Sequence, residues 1–370
     1  MNVDRSVLRQ RAWTGLYSVA AVVVGLVISF AAIGLSGSPI GESIRQLFEG
    51  ALGSSGQLAA TVARMVPLVL VGLGWIVAAR SAIFNIGLDG QIIVGGICAT
   101  ATALYVDAPT GVALVLAMAA GIVGGVLWAG IAAMLLARRH VNEIISTLML
   151  SLIAVQILGW LLSGPLKDPS QTRSQTETLP SESFLPYLGN SDVLKWDLPL
   201  ALLAVVMLSV VLSRSGFGFR MRLVSGNESA AHRAGVRTTR VRVQAFLISG
   251  SLAGLVGASL VLGSRTHTTA EGFYEGFGFD GIVVGLLARG SPWGTLPAAF
   301  LIAALHQGGG LMQAVLGVPS QLVLFTQGAV VVLVAISDPL TSRIRSRRAD
   351  ARDASGVPLA MGPAGTANVD

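Results

Sequence analysis

Two aspartates stand inside apolar stretches of this chain, and glycines bracket each of them. The first lies in Gly87-Leu88-Asp89-Gly90, followed by Gln91 and an apolar stretch to Gly95. The second lies in Gly278-Phe279-Asp280-Gly281, followed by an apolar stretch to Gly285. Glycine tolerates the φ values that interrupt a helix. A carboxylate among apolar residues is costly, so it is paired or it has work to do. With Asn85 and Gln91 beside it, Asp89 would offer hydrogen bonds to a polar solute. The other reading is that Asp89 and Asp280 cap the helices that follow, accepting from freed backbone N–H groups. The two readings are compatible, because a cap can orient a site.

A second group of residues points to docking. Ser225-Gly226-Asn227-Glu228 has the capping-box pattern that starts a helix. Ala230, Ala231 and Ala234 continue it, and Gly235 is a natural stop. The spacing predicts a two-to-three-turn helix flanked by Arg220, Arg222, Arg233, Arg237, Arg240 and Arg242. Such a helix is too short to stand alone in water and needs a partner surface. Anionic lipid would hold it through its arginines. A face of alanine and glycine, without Trp, Phe or Leu, fits a protein partner better.

Other chemistries are missing. Lys167 and Lys195 each follow a leucine, so neither completes the G-x-x-x-x-G-K-[ST] loop that cradles ATP. His140, His232, His267 and His306 are scattered without metal-ligand spacing, and no metal or cofactor is expected. Cys98 sits alone in an apolar run and packs as a small hydrophobe. No paired catalytic constellation suggests an enzyme.

The elements that must position these residues are membrane helices. Hydrophobic residues make up 53% of the 370 and charged residues 12%, against about 25% charged in a soluble domain. A soluble protein of this length cannot bury so much apolar surface, whereas a bilayer can solvate it. A crossing helix needs about 20 apolar residues. Candidates are Trp13–Leu35, Leu58–Ala79, Ile86–Tyr105, Gly111–Ala137, Ile144–Leu162, Leu198–Leu212, Ala245–Leu262, Gly281–Leu287, Thr295–Leu305 and Leu322–Ile336. Gly281–Leu287 and Thr295–Leu305 are too short alone, with Arg289, Gly290, Ser291 and Pro292 breaking the chain between them. The expected fold is all-α: a polytopic bundle of about 8–10 membrane segments with broken helices. Gly121/Gly125 and Gly250/Gly254 are GxxxG pairs that imply close helix contacts, within the subunit or with a second one.

All but two of the 25 basic residues are arginine, and they fall between apolar runs. They therefore read as topology signals rather than a nucleic-acid surface. Arg5, Arg9, Arg11, Arg80, Arg138, Arg139, the run from Arg214 to Arg242 and the run from Arg343 to Arg352 lie on one side. Only Arg45, Arg64, Lys167, Arg173, Lys195 and Arg265 lie on the other. The expected topology has both termini in the cytoplasm. It comprises a short N-terminus (1–12), an uncleaved first span opening a membrane domain (13–340) and a disordered tail (341–370). Residues 163–197 form an ordered or semi-ordered outer loop, and 214–243 a cytoplasmic loop. The Asp89 and Asp280 motifs open segments of opposite direction, which suggests an inverted repeat.

The stretch from Arg64 to Ile336 resembles the permease family of ABC importers for ribose, simple sugars and nucleosides, a branched-chain-amino-acid-like family. Phe84-Asn85-Ile86-Gly87-Leu88-Asp89-Gly90-Gln91 resembles its FNIGxEGQ, with Asp89 in place of glutamate. Val141 to Leu150 resembles VNEVISTIML, and Ser151 replaces the asparagine that follows. Gly164-Pro165-Leu166-Lys167-Asp168-Pro169 and Gly278-Phe279-Asp280-Gly281-Ile282 resemble motifs of the nucleoside branch. Gly226-Asn227-Glu228-Ser229-Ala230-Ala231 with Ala234-Gly235-Val236 resembles the segment that docks the ATPase.

The resemblance implies a permease in the cytoplasmic membrane that imports a nucleoside or simple sugar. Its partners would be an ATP-binding subunit, a second permease and an extracytoplasmic solute-binding protein. It places Asn85, Asp89, Gln91, Asn142, Glu143 and Asp280 on the pathway. Ser225, Gly226, Asn227, Glu228, Ala231, Arg233 and Gly235 fall in the docking element. The alternative is a secondary transporter coupling an ion gradient through Asp89 and Asp280.

Overall fold

Runs of apolar residues long enough to leave water become helices, because lipid offers the backbone no other hydrogen-bond partner. The computed structural model describes residues 5–139, 141–189, 191–264, 267–269 and 276–333. In chain order the helices are α1 (Arg5–Leu35), α2 (Ile40–Leu52), α3 (Ser55–Ala79), α4 (Leu88–Tyr105), α5 (Val112–Arg139) and α6 (Glu143–Ser163). Then come α7 (Asp197–Arg214), α8 (Gly216–Gly226), α9 (Glu228–Arg233), α10 (Thr238–Ser264), α11 (Phe277–Leu287), α12 (Thr295–Leu316) and α13 (Ser320–Leu333). No strand occurs among the described residues; isolated bridges join Gln175 to Thr269 and Tyr187 to Lys195. Among the described residues seven helices are long and apolar enough to cross a membrane, and α11, α13 and the Ala20–Leu35 part of α1 are shorter apolar pieces. The chain is a multi-pass helical membrane protein.

The centre is a backbone-to-backbone stack of α4, α5 and α10. A Cβ on Gly125 would collide with Gly250 and Gly254, and one on Gly254 would collide with the Gly121 carbonyl. The GxxxG pairs therefore meet each other inside the subunit. Around this stack, α3 runs through the core with most of its C-terminal half buried, including Pro67. By contrast, α6 and α7 expose their apolar faces and are only 22% buried over their spans.

The structure corrects several expectations. Thr295–Leu305 is not a half-helix: α12 continues for 22 residues and is long enough to span. The Gly308-Gly309-Gly310 run does not stop it, because α2 packs on Gly308. Helix α2 lies between the first two expected segments, where no element was expected. Its buried face carries Ser43, Gln46, Leu47, Gly50 and Ala51. Helix α1 already begins at Arg5, within the expected N-terminal extension. The outer loop is largely irregular, with one 3-10 turn at Ser181–Ser183. It is tied down by Leu185 N–H donating to Leu262 O (2.9 Å) and Thr176 N–H to Thr268 O (3.1 Å). The expected tail (341–370) lies outside the described residues.

Candidate functional site

The two glycine-bracketed aspartates lie close together. Asp89 sits in the first turn of α4, and its Oδ1 accepts the Gly278 N–H of α11 at 2.7 Å. An aspartate in one half of the chain thus caps the short helix that opens with the other motif. A Cβ on Gly278 would collide with the Asp89 carboxyl, which explains glycine there. Asp280, two residues on, turns instead to α12, where its Oδ2 lies 2.6 Å from His306 Nε2. Both side chains keep some exposure, 24% for Asp280 and 17% for His306. On the α12 face carrying His306, Ala299, Ile302 and Ala303 are buried on one side, whereas Gly310 and Gln313 are exposed on the other. The pair therefore closes the bottom of an open face.

Asn85 and Gln91 are spent on each other. Asn85 Nδ2 donates to Gln91 Oε1 and Gln91 Nε2 to Asn85 Oδ1, both at 3.1 Å. Asn85 Nδ2 also donates to Ser249 Oγ (2.9 Å), and Asn85 Oδ1 accepts the Gly87 N–H (3.1 Å). Both residues are essentially buried. This network pins the irregular segment before α4 onto α10. Ser151 Oγ accepts the Gly90 N–H at 3.2 Å, so a serine serves the first turn of α4 where asparagine was the expected residue.

Each break ends its helix with a left-handed residue that is not glycine: Ala82 (φ 54°) after α3 and Arg289 (φ 53°) after α11. After α3 the turn is of the Schellman type, with Ile83 N–H to Ala78 O and Ala82 N–H to Ala79 O. Arg80 crosses between the breaks. Its Nε and Nη2 donate to Gly290 O at 3.1 and 2.8 Å. Burial, with the neighbouring Arg222, pulls Arg80 below the ordinary arginine range.

At that arginine-rich end, Asn142 caps α6 through Oδ1 to Ile144 N–H (2.9 Å), and Glu143 lies 3.6 Å from Arg242. Helix α9 is built differently from the expected capping box. Ser225 is inside α8, and Asn227 is the cap, its Oδ1 accepting Ala230 N–H at 2.9 Å. The helix is six residues long, shorter than the expected two to three turns. The physical reason is that α8 continues through Gly226 and leaves only Asn227 free to cap. Ala231 is buried, Glu228 and Arg233 are exposed, and Gly235 (φ 81°) turns the chain away.

At the opposite end a cavity of about 200 Å3 is lined in part by Arg64, Pro67, Lys195, Asp197, Ser259 and Phe277, so it reaches the start of α11. Burial pulls Lys195 below the usual lysine range, partly offset by Asp197.

His306 escaped the sequence reading because its partner is distant in sequence and no metal-like spacing marks it. The rule that singled out Asp280, an ionisable group in an apolar helix, applies equally to His306.

Comparison with known proteins completes the picture. Residues 57–335 match the family described as branched-chain amino acid transport system / permease component. The chain is 31% identical over 324 residues to the guanosine ABC transporter permease protein NupP of Bacillus subtilis, covering 87% of this chain and 93% of that one. It is 34% identical over 337 residues to a glucose ABC transporter permease protein of Haloferax volcanii, covering 88% and 87%. A second Bacillus subtilis protein, guanosine ABC transporter permease protein NupQ, is 29% identical over 318 residues, covering 82% of this chain and 96% of its own length. With a family match that takes in six of the seven long spans whole, nearly all of the other and both aspartate motifs, the chain belongs to the branched-chain amino acid transport system permease components, as a membrane-spanning permease of an ABC transporter.

Proposed function

We propose that this permease imports an uncharged, hydroxyl-rich solute, a nucleoside or simple sugar, past the Asp280–His306 pair, with ATP hydrolysis on a separate subunit. The observation that carries this reading is the pair itself: partly exposed, at the foot of an open helix face, beside a second carboxylate. A carboxylate oxygen accepts from a hydroxyl, and imidazole can donate or accept. Two nearby carboxylates disfavour an anionic solute such as a phosphorylated sugar. The names of the relatives, guanosine and glucose permeases, support the same class. In this reading Asp89 holds the pathway open by capping α11, while Asn85 and Gln91 brace it. Asn142 and Glu143 belong to its arginine-rich end.

The arginine-rich end faces the cytoplasm by the positive-inside rule, which puts both termini there. The ATPase docks on α9 and the residues flanking it, from Ser225 to Gly235, beside a basic notch of about 470 Å3 that includes Arg220, Arg237 and Arg240. A second homologous permease and an extracytoplasmic solute-binding protein complete the assembly. That two guanosine permease proteins of one bacterium both resemble this chain supports a paired permease.

Uptake of labelled guanosine and glucose into cells carrying the whole transporter tests the pathway. Asp280→Asn and His306→Gln should weaken uptake roughly ten- to a hundredfold, the range for losing a hydrogen bond to a charged group. Wild-type affinity in both variants removes the pair from the pathway. Ion-coupled transport, the other reading, requires uptake to follow an ion gradient without any ATPase. It is less well supported, because Asp89 already spends one oxygen on Gly278.

A further inference from the structure

Arg242, near the start of α10, touches three separate elements at the arginine-rich end. Its Nη1 lies 3.5 Å from Glu228 Oε1 in the first turn of α9. Its Nη2 lies 3.6 Å from Glu143 Oε1 at the start of α6, and 3.3 Å from the carbonyl of Ala82. The Arg242 side chain is only 18% exposed, and its buried Nε has no partner among the described residues. Two residues before Ala82, Arg80 reaches on to Gly290 in the break between α11 and α12.

We propose that Arg242 is the positioning residue that passes movement of the docking helix to the two helix breaks flanking the solute pathway. The proposal rests on the reading of α9 as the ATPase docking element.

The contact geometry favours a relay over a static brace. Both ion pairs are long, so one guanidinium is shared among three acceptors and saturates none of them. A shift of Glu228 changes how the guanidinium divides itself between Glu143 and the Ala82 carbonyl. That carbonyl belongs to a residue held in the left-handed region, where a side chain is unfavourable. Ser81, beside it, carries a buried hydroxyl with no partner among the described residues. A backbone held in an unfavourable region beside an unsatisfied hydroxyl is the kind of site where stored strain serves a switch. Arg80 lies in the same turn, so movement of that turn carries the Gly290 carbonyl with it. The second break then moves relative to Asp280 and His306.

The test uses the chain purified with its co-expressed ATPase subunit, in a Cys98→Ser background carrying Ser291→Cys as a reporter in the second break. Ser291 is exposed. With Arg242 present, the maleimide labelling rate at the reporter should differ about tenfold between nucleotide-free and vanadate-trapped complexes. Arg242→Lys keeps the charge but cannot span three acceptors. It should retain the ATPase subunit and its hydrolysis while the two labelling rates become equal.

A nucleotide-dependent rate that survives in Arg242→Lys overturns the relay while leaving docking intact. Loss of hydrolysis and of the ATPase subunit in step with labelling makes Arg242 merely structural and also overturns it. If the wild-type chain retains no ATPase subunit, the docking reading fails, and the relay with it.

Discussion

Most of the chemistry hangs on a few side chains whose partners lie far away in sequence. Asp89 caps α11 across the molecule, and Gly278 leaves room for it. Gly278→Ala should therefore break the clasp without touching the carboxylate. The outcome to look for is uptake reduced at least as much as in Asp89→Asn, with the protein still in the membrane. Ala82 offers a gentler change. It occupies the left-handed C′ position of a Schellman turn, where glycine is usual. Ala82→Gly removes steric strain of about 1–2 kcal/mol, less the greater entropy of an unfolded glycine. A net gain of up to about 1 kcal/mol should raise the unfolding temperature in detergent. A fall would show that the turn is not strained. If the strain serves the coupling of Arg242 to the breaks, the same variant should also lower transport per ATP.

At the scale of elements, the decisive feature is how closely α4, α5 and α10 approach. Where a Cβ would meet backbone, a larger residue forces the helices apart. Gly125→Val and Gly254→Val should each cost several kcal/mol, as overpacking of an unyielding contact does. The check is a size-exclusion profile of the detergent-solubilised protein: a monodisperse peak at wild-type yield would contradict the packing.

This contact was half legible in the sequence. The GxxxG spacings named the glycines, but spacing does not say which pair faces which. The breaks were legible because Gly, Pro and charged residues cluster at them, which together disfavour a continuous apolar helix. What stayed hidden depended on distance in space. The sequence placed Asn85, Asp89 and Gln91 on one solute-facing surface. In the structure Asn85 and Gln91 pair with each other and Ser249, and Asp89 reaches Gly278. The expected segment Thr295–Leu305 stopped short of the three glycines through which α12 continues, and α2, which packs on Gly308, was itself unrecognised. Amphipathic α2 carries Glu42, Arg45 and Glu49 on an exposed face, which lowered its apolar signal.

On the scale of the whole molecule, burial is uneven. Helices α3 and α10 are 72% buried over their spans, whereas α6 and α7 are 22% buried and carry large apolar side chains outward. Ile153 and Trp160 on α6, and Leu203 and Met207 on α7, are all exposed. In a bilayer, lipid solvates such faces. A charge in the middle of one costs about 3 kcal/mol in membrane insertion. Ile153→Arg should accordingly lower the amount of membrane-integrated chain, measured on carbonate-washed membranes. An unchanged yield would mean that water already reaches that face.

Helix α11 has a consequence for how the chain is made. Eleven residues rise about 16 Å, roughly half the thickness of the hydrocarbon layer. It is too short to be handed to the bilayer as a span in its own right. Its first turn is satisfied by Asp89, and the chain just past its end is held by Arg80, both supplied by segments synthesised long before it. Those partners already stand in the membrane when it leaves the ribosome, so α11 takes its place by docking on α3 and α4 rather than by entering lipid as a span.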